Sequence, residues 1–187
     1  MMSFFKQVMN ADAAFSLKLV VGDSKKNWQS FLKLIGHSCD SWYWLVGLVL
    51  FWVFTRGQAR QNAFMLAFIL GVLAVFVLGI KFLIRRPRPE GEWGQIYRIT
   101  DPHSFPSGHA ARAVAIAVFF AQFQITWLTI IAWIWAIMVC FSRVALRLHY
   151  LSDVFAGGLI GIAAYYLGMW FFPWLFKALP WLNFFIQ

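Results

Sequence analysis

Apolar residues fall in long runs, at 41–55, 63–84, 110–123, 125–141 and 154–172. A bilayer span needs roughly 20 such residues, so the pattern predicts about five transmembrane helices. The first is short unless neighbouring polar residues enter the interface. Gln122 and Gln124 alone mark the break between the third and fourth runs, which predicts a tight antiparallel hairpin. Residues 1–36 have a different rhythm. Lys6, Asp12, Lys18, Asp23, Lys25, Lys26 and Lys33 are scattered among apolar residues, and Phe15, Leu19, Trp28, Phe31, Leu32 and Ile35 fit apolar helical faces. That reads as an amphipathic helix on the membrane surface, without the compact apolar core of a signal peptide. Residues 173–187 carry Trp174, Trp181 and two prolines and read as an interfacial tail. The expected architecture is an all-α, polytopic membrane helix bundle. It forms one domain over 1–187, with a transmembrane catalytic core at 41–172.

Composition sharpens this picture. Of the 187 residues, 61% are hydrophobic and 12% charged, against about 45–50% and about 25% in soluble domains. Trp42, Trp44, Trp127, Trp170 and Trp174 lie near expected span ends, as an aromatic belt requires. The net charge of +9 is not gathered on a soluble basic face. It points to anionic lipid rather than nucleic acid as the partner. Cys39 and Cys140 are too far apart in this plan for a disulfide, and oligomeric state is not legible.

Three polar clusters interrupt the apolar plan. Lys81, Arg85, Arg86 and Arg88 close the second span. Ser107, Gly108, His109 and Arg112 open the third. Ser142, Arg143, His149 and Asp153 lie between the fourth and fifth. Counting crossings brings all three to one face of the membrane. Singly, each has a plain reading: snorkelling cations, a helix cap, a surface ion pair. Those readings do not predict convergence. Together they describe a phosphate cradle, in which Arg and Lys supply charge and a helix start supplies amides. If helical, His149 and Asp153 share a face at a four-residue spacing, so a carboxylate can orient an imidazole. Arg112 suits either a second phosphate or headgroup, or an ion pair with Asp101. Arg85 and Arg86 are further candidate headgroup contacts. His37, Cys39 and Asp40 lack an apparent fourth ligand, so no metal is assigned.

Lys81 with Arg88-Pro89 after six residues, then Pro106-Ser107-Gly108-His109, then Ser142-Arg143 with His149 after five and Asp153 after three more, resembles the three-part signature of the type 2 phosphatidic acid phosphatase family. That family also includes vanadium haloperoxidases. The likeness covers 81–153 and the helical plan around it; the first 40 residues carry no signature. Many membrane members resemble a six-span bundle, whereas here the surface helix stands in place of the first span. The resemblance implies that His149 attacks phosphorus to form a phosphohistidine and that Asp153 orients it. His109 protonates the leaving oxygen and then activates water. Lys81, Arg88, Ser107, Gly108 and Arg143 hold the phosphoryl oxygens. It implies no metal and no cofactor.

The function expected is metal-independent hydrolysis of a phosphomonoester or pyrophosphate carried by a lipid in the bilayer. The extra arginines favour undecaprenyl pyrophosphate. Phosphatidylglycerol phosphate, phosphatidic acid and lipid A phosphate are alternatives, as is a lipid phosphotransferase. A haloperoxidase fits poorly with five spans, and a non-enzymatic anion or lipid transporter needs no nucleophile. The lysines of 1–36 nominally put the site in the cytoplasm. The resemblance implies a bacterial inner membrane with the site on the extracytoplasmic side, which is the side expected here.

Overall fold

The computed structural model describes residues 2–22, 24–91 and 101–181, so Asp23 and the end of the predicted tail, 182–187, lie outside the described residues. Among these residues seven helices follow in order: α1 (Met2–Lys18), α2 (Lys26–His37), α3 (Ser41–Phe54), α4 (Gly57–Ile84), α5 (Gly108–Ala121), α6 (Thr126–Ala145) and α7 (Leu151–Ala178). Among the described residues the sole β pairing is one bridge, Pro87 with His103.

α4, α6 and α7 are long and apolar enough to cross a membrane. α3 and α5 have 14 residues each, about 21 Å of helix against a hydrocarbon core of about 30 Å. The five apolar runs are therefore three full-length spans and two shorter apolar helices. α7 continues through Pro173 to Ala178, so the predicted tail begins as helix. The amphipathic region is two helices rather than one. α2 packs on α6, burying Leu32 against Ala145, Leu146 and Leu148. α1 docks at the start of α7.

The centre of the bundle is α5, whose alanines Ala110, Ala111, Ala113, Ala115 and Ala117 are fully buried. Small side chains let helix backbones approach closely, and α7 meets this surface with glycines. A Cβ on Gly157 would collide with the Ser107 carbonyl, and one on Gly161 with the Ala111 carbonyl. Both obstacles are backbone, which cannot swing away. Larger side chains fill the far end, where Met65, Leu66, Ile69, Phe119, Tyr165 and Phe172 form one cluster.

Gly161→Ala should therefore destabilise the bundle by about 1–3 kcal/mol. A Cβ at Gly71 meets nothing within 4 Å, so Gly71→Ala should be neutral or stabilising by up to about 1 kcal/mol. Thermal unfolding of both variants in detergent checks the contrast.

Candidate active site

The three polar clusters lie at one end of the bundle. Lys81 sits in the last turn of α4, where Arg85 ends the helix in a left-handed conformation (φ 51°). The segment that follows pairs with the one entering α5: the Ser104 N–H donates to the Arg86 carbonyl at 2.8 Å. A cavity of about 210 Å³ opens between them. Lys81, Arg88, Gly108, His109, Arg112, Arg143 and His149 line it, with Asp101 and Ser41. The three sequence clusters do converge. One wall is apolar, built from Leu70, Leu73, Ala74, Val77 and Leu78 of α4.

His149 precedes α7 instead of lying in it, because Tyr150, the residue before the first helical turn, is extended. Its imidazole is buried. Nδ1 lies 2.8 Å from the Ser104 carbonyl, and Nε2 lies 3.2 Å from Arg88 Nη1. A carbonyl can only accept and a guanidinium can only donate. Both neighbours therefore select the tautomer with hydrogen on Nδ1 and a lone pair on Nε2. Burial, with help from the Arg88 charge, lowers the His149 pKa to about 4, against the pull of Asp153 in the other direction.

The Asp153 carboxylate is fully buried, with Oδ2 3.7 Å from His149 Nδ1. That exceeds hydrogen-bond reach, so Ser104 is the direct partner and Asp153 acts on the imidazole as a nearby charge. The carboxylate accepts instead from the Tyr150 N–H at 2.9 Å and from Arg86 Nη1 at 2.7 Å. Arg86 also reaches Asp12 on α1 at 2.7 Å and Ser152 at 2.7 Å. Thus Arg86, a candidate headgroup contact by sequence, is committed to two carboxylates behind the nucleophile. Arg85 folds back onto the Phe82 carbonyl at 2.8 Å and does not line the cavity.

Lys81 and Arg88 both pair with Asp101, Arg88 at 2.8 Å. Arg88 also donates to the Leu148 carbonyl at 2.8 Å and the Asp101 carbonyl at 2.8 Å. A carboxylate held by a lysine and an arginine shows the anion preference of this corner directly. Arg112 does not pair with Asp101; it grips the Cys39 carbonyl at 2.7 Å and Ser41 Oγ at 2.6 Å. Ser107 is fully buried and does not line the cavity. It caps α5 through Oγ, which accepts from the Ala110 N–H at 3.4 Å, and its own N–H donates to the Asp153 carbonyl at 3.0 Å. Gly108 does face the cavity, at the helix end whose dipole favours anions.

Two contributors from the N-terminal region were not legible as site residues. Gly36 of α2 lies against the Arg143 guanidinium, where a Cβ would overlap it. Asp40 lies 2.7 Å from His109 Nε2. The crossing count could have located Asp40, since it begins the first apolar run on the same face as the clusters.

The sequence matches the PAP2 superfamily over residues 62–177. It is 41% identical over 58 residues to lipid A 4'-phosphatase of Bacteroides thetaiotaomicron, covering 30% of this chain and 26% of that protein. It is 31% identical over 100 residues to lipid A 1-phosphatase of Porphyromonas gingivalis, covering 52% of this chain and 21% of that protein. The chain thus matches about a quarter of the length of these curated relatives. Its fold resembles the crystal structure of a transmembrane PAP2 type phosphatidylglycerolphosphate phosphatase from Bacillus subtilis (TM-score 0.70, 25% identity, 88% of this chain and 86% of that one). It also resembles Aquifex aeolicus LpxE (TM-score 0.63, 22% identity, 76% and 85%), a likeness of fold. With its apolar helices, these likenesses mark an integral membrane protein.

Two predictions follow from the geometry. In Gly36→Ala the new methyl meets the guanidinium end of Arg143, with Ser142 Oγ next to it, rather than backbone. The helix should form, while inhibition by phosphate or vanadate weakens about as much as in Arg143→Ala, roughly ten- to a hundredfold. The second concerns pH. Because the folded His149 resists a proton that the unfolded chain accepts, the native state loses stability as pH falls from about 6.5 towards 4. The stability of His149→Gln relative to wild type should rise by about 2 kcal/mol between pH 7 and pH 5, measured by unfolding in detergent.

Proposed function

The chain belongs to the PAP2 superfamily, and we propose that it is a membrane lipid phosphatase working through a phosphohistidine. The observation that carries the proposal is His149 Nε2, held as a lone-pair donor beside Arg88 in a cavity that also contains Lys81, Arg143 and His109. In this reading Nε2 attacks phosphorus as the bond to the lipid oxygen breaks. His109 gives that oxygen its proton. Water then attacks phosphorus, His109 takes the water proton, and the P–N bond breaks. Lys81, Arg88, Arg143 and the start of α5 offset charge on the transferring group, the main catalytic requirement of phosphoryl transfer. Asp153 supports the nucleophile electrostatically.

The substrate we favour is a phosphomonoester of a lipid, not a polyprenyl pyrophosphate. The expectation of a pyrophosphate rested on extra arginines, yet Arg86 is tied to Asp12 and Asp153, and Arg85 to a helix carbonyl. Relatives and structural neighbours are named for lipid A phosphates and phosphatidylglycerol phosphate, which supports the same class. The apolar α4 wall suits a substrate whose chains stay in the bilayer. We place the site on the extracytoplasmic side of a bacterial inner membrane; labelling a single cysteine introduced near the site with an impermeant reagent tests that placement.

Purified protein in mixed micelles should release phosphate from lipid A phosphates, phosphatidylglycerol phosphate or phosphatidic acid faster than from undecaprenyl pyrophosphate. His149→Ala should lower the rate at least about 10³-fold without loss of fold. Wild-type rates in His149→Ala would refute the nucleophile, and preference for the pyrophosphate would refute the substrate class. Recovery of phosphate on an added lipid alcohol would assign transfer in place of hydrolysis.

A further inference from the structure

We infer that Asp40 is the positioning residue of His109, and so sets the proton transfers on the leaving-group side of the reaction; this rests on the phosphatase reading above. Asp40 immediately precedes α3, where an aspartate ordinarily caps the helix by accepting from its first amides. Its side chain makes no such bond. It turns back instead, with Oδ1 2.7 Å from His109 Nε2 and Oδ2 2.9 Å from His37 Nδ1. The turn is fixed from both sides, because Arg112 donates to the carbonyl of Cys39 and to the hydroxyl of Ser41, the residues flanking Asp40. Arg112 stands one helical turn after His109, so the same face of α5 carries the imidazole and the clamp on its partner.

A carboxylate on Nε2 makes that nitrogen the donor and leaves Nδ1 as the ring position able to serve the reacting oxygen. When His109 is protonated, Nδ1–H gives its proton to the lipid oxygen as the P–O bond breaks; Asp40 stabilises the imidazolium that precedes this step. Afterwards neutral Nδ1 takes a proton from the attacking water as the P–N bond breaks, and the imidazolium is restored. Asp40 itself stays ionised throughout. Burial opposes that charge, but the bonds from His109 and His37 outweigh it and hold the carboxyl at about 2; on the His109 side burial outweighs the same bond and disfavours the imidazolium, and the charge of Asp40 is what opposes that cost. The one carboxylate thus serves two imidazoles, one oxygen to each.

General-acid assistance matters most for a poor leaving group, which gives a test that a merely structural role would not pass. Asp40→Asn should lower kcat/KM for a lipid alkyl phosphate about ten- to a hundredfold. For p-nitrophenyl phosphate in the same micelles, whose phenolate leaves with little protonation, the loss should stay below about threefold. In a His109→Ala background, Asp40→Asn should add no further loss on either substrate. Equal losses on the two substrates, or losses that multiply in the His109→Ala background, would overturn the assignment. Wild-type phosphate release tests the function itself; the ratio between substrates tests Asp40, so the two failures read differently.

Discussion

Buried positive charge is the constraint on which the rest of this structure depends. Lys81, Arg88 and Arg143 are each at most 5% exposed, and His149 3%, at one end of a bundle of apolar helices. Charges removed from water need partners at hydrogen-bond distance or they become too costly to keep. The chain has seven acidic residues, and four of them, Asp12, Asp40, Asp101 and Asp153, are gathered here. Carbonyls do the rest: Leu148 and Asp101 for Arg88, His103 for Lys81, Ser104 for His149. These acceptors come from α1, from α7 and from the segments that lead into α3, α5 and α7, so the cradle exists only when those parts are assembled.

Assembly in turn depends on how closely helices approach. α5 carries Gly108 and His109 to the cavity floor, and its alanine surface lets the glycines of α7 come within reach of its own carbonyls. The bond from the Ser107 N–H to the Asp153 carbonyl ties the starts of α5 and α7 together. Asp153 therefore binds two helix starts through its backbone and the Arg86 network through its side chain. Gly36 applies the same close-approach device at α2, with a guanidinium in place of a backbone. A shift of either contact moves phosphate ligands directly.

The sequence was most legible where chemistry is local. The spacing of Lys81 and Arg88, the Ser107-Gly108-His109 turn and the Arg143, His149, Asp153 run all proved to be near neighbours of one cavity, because crossing parity alone carries them to one side. Two details failed for a physical reason. A four-residue spacing suggested a shared helical face for His149 and Asp153, but the extended Tyr150 puts the histidine outside the helix and hands its Nδ1 to Ser104. Of the arginines counted as headgroup contacts, Arg86 is taken up by two carboxylates, Arg85 stays exposed with Nε on the Phe82 carbonyl, and Arg112 lines the cavity. Asp40–His109 and Asp12–Arg86 join residues about seventy positions apart, and no periodicity encodes such a pairing.

The amphipathic N-terminal region takes on a different meaning in this light. In a surface helix the polar face ordinarily meets water and headgroups. Here Phe15, Leu17, Trp28 and Leu34 remain exposed, as an interfacial helix requires, while part of the opposite face meets the catalytic end of the bundle. Asp12 accepts from Arg86 and from the Ser152 N–H, Ser16 accepts from the Leu151 N–H at 2.8 Å, and the Val21 N–H reaches the Ala145 carbonyl at 3.0 Å. α1 thus satisfies the open amides at the start of α7, one residue pair beyond His149, and α2 leads directly to Asp40. A segment without any family signature supplies acceptors behind both histidines. Detaching it from the bundle would cost Arg86 one of its two carboxylates, leaving it on Asp153 alone of that pair, and His109 its own, so the same contacts that seat these helices also set the two imidazoles.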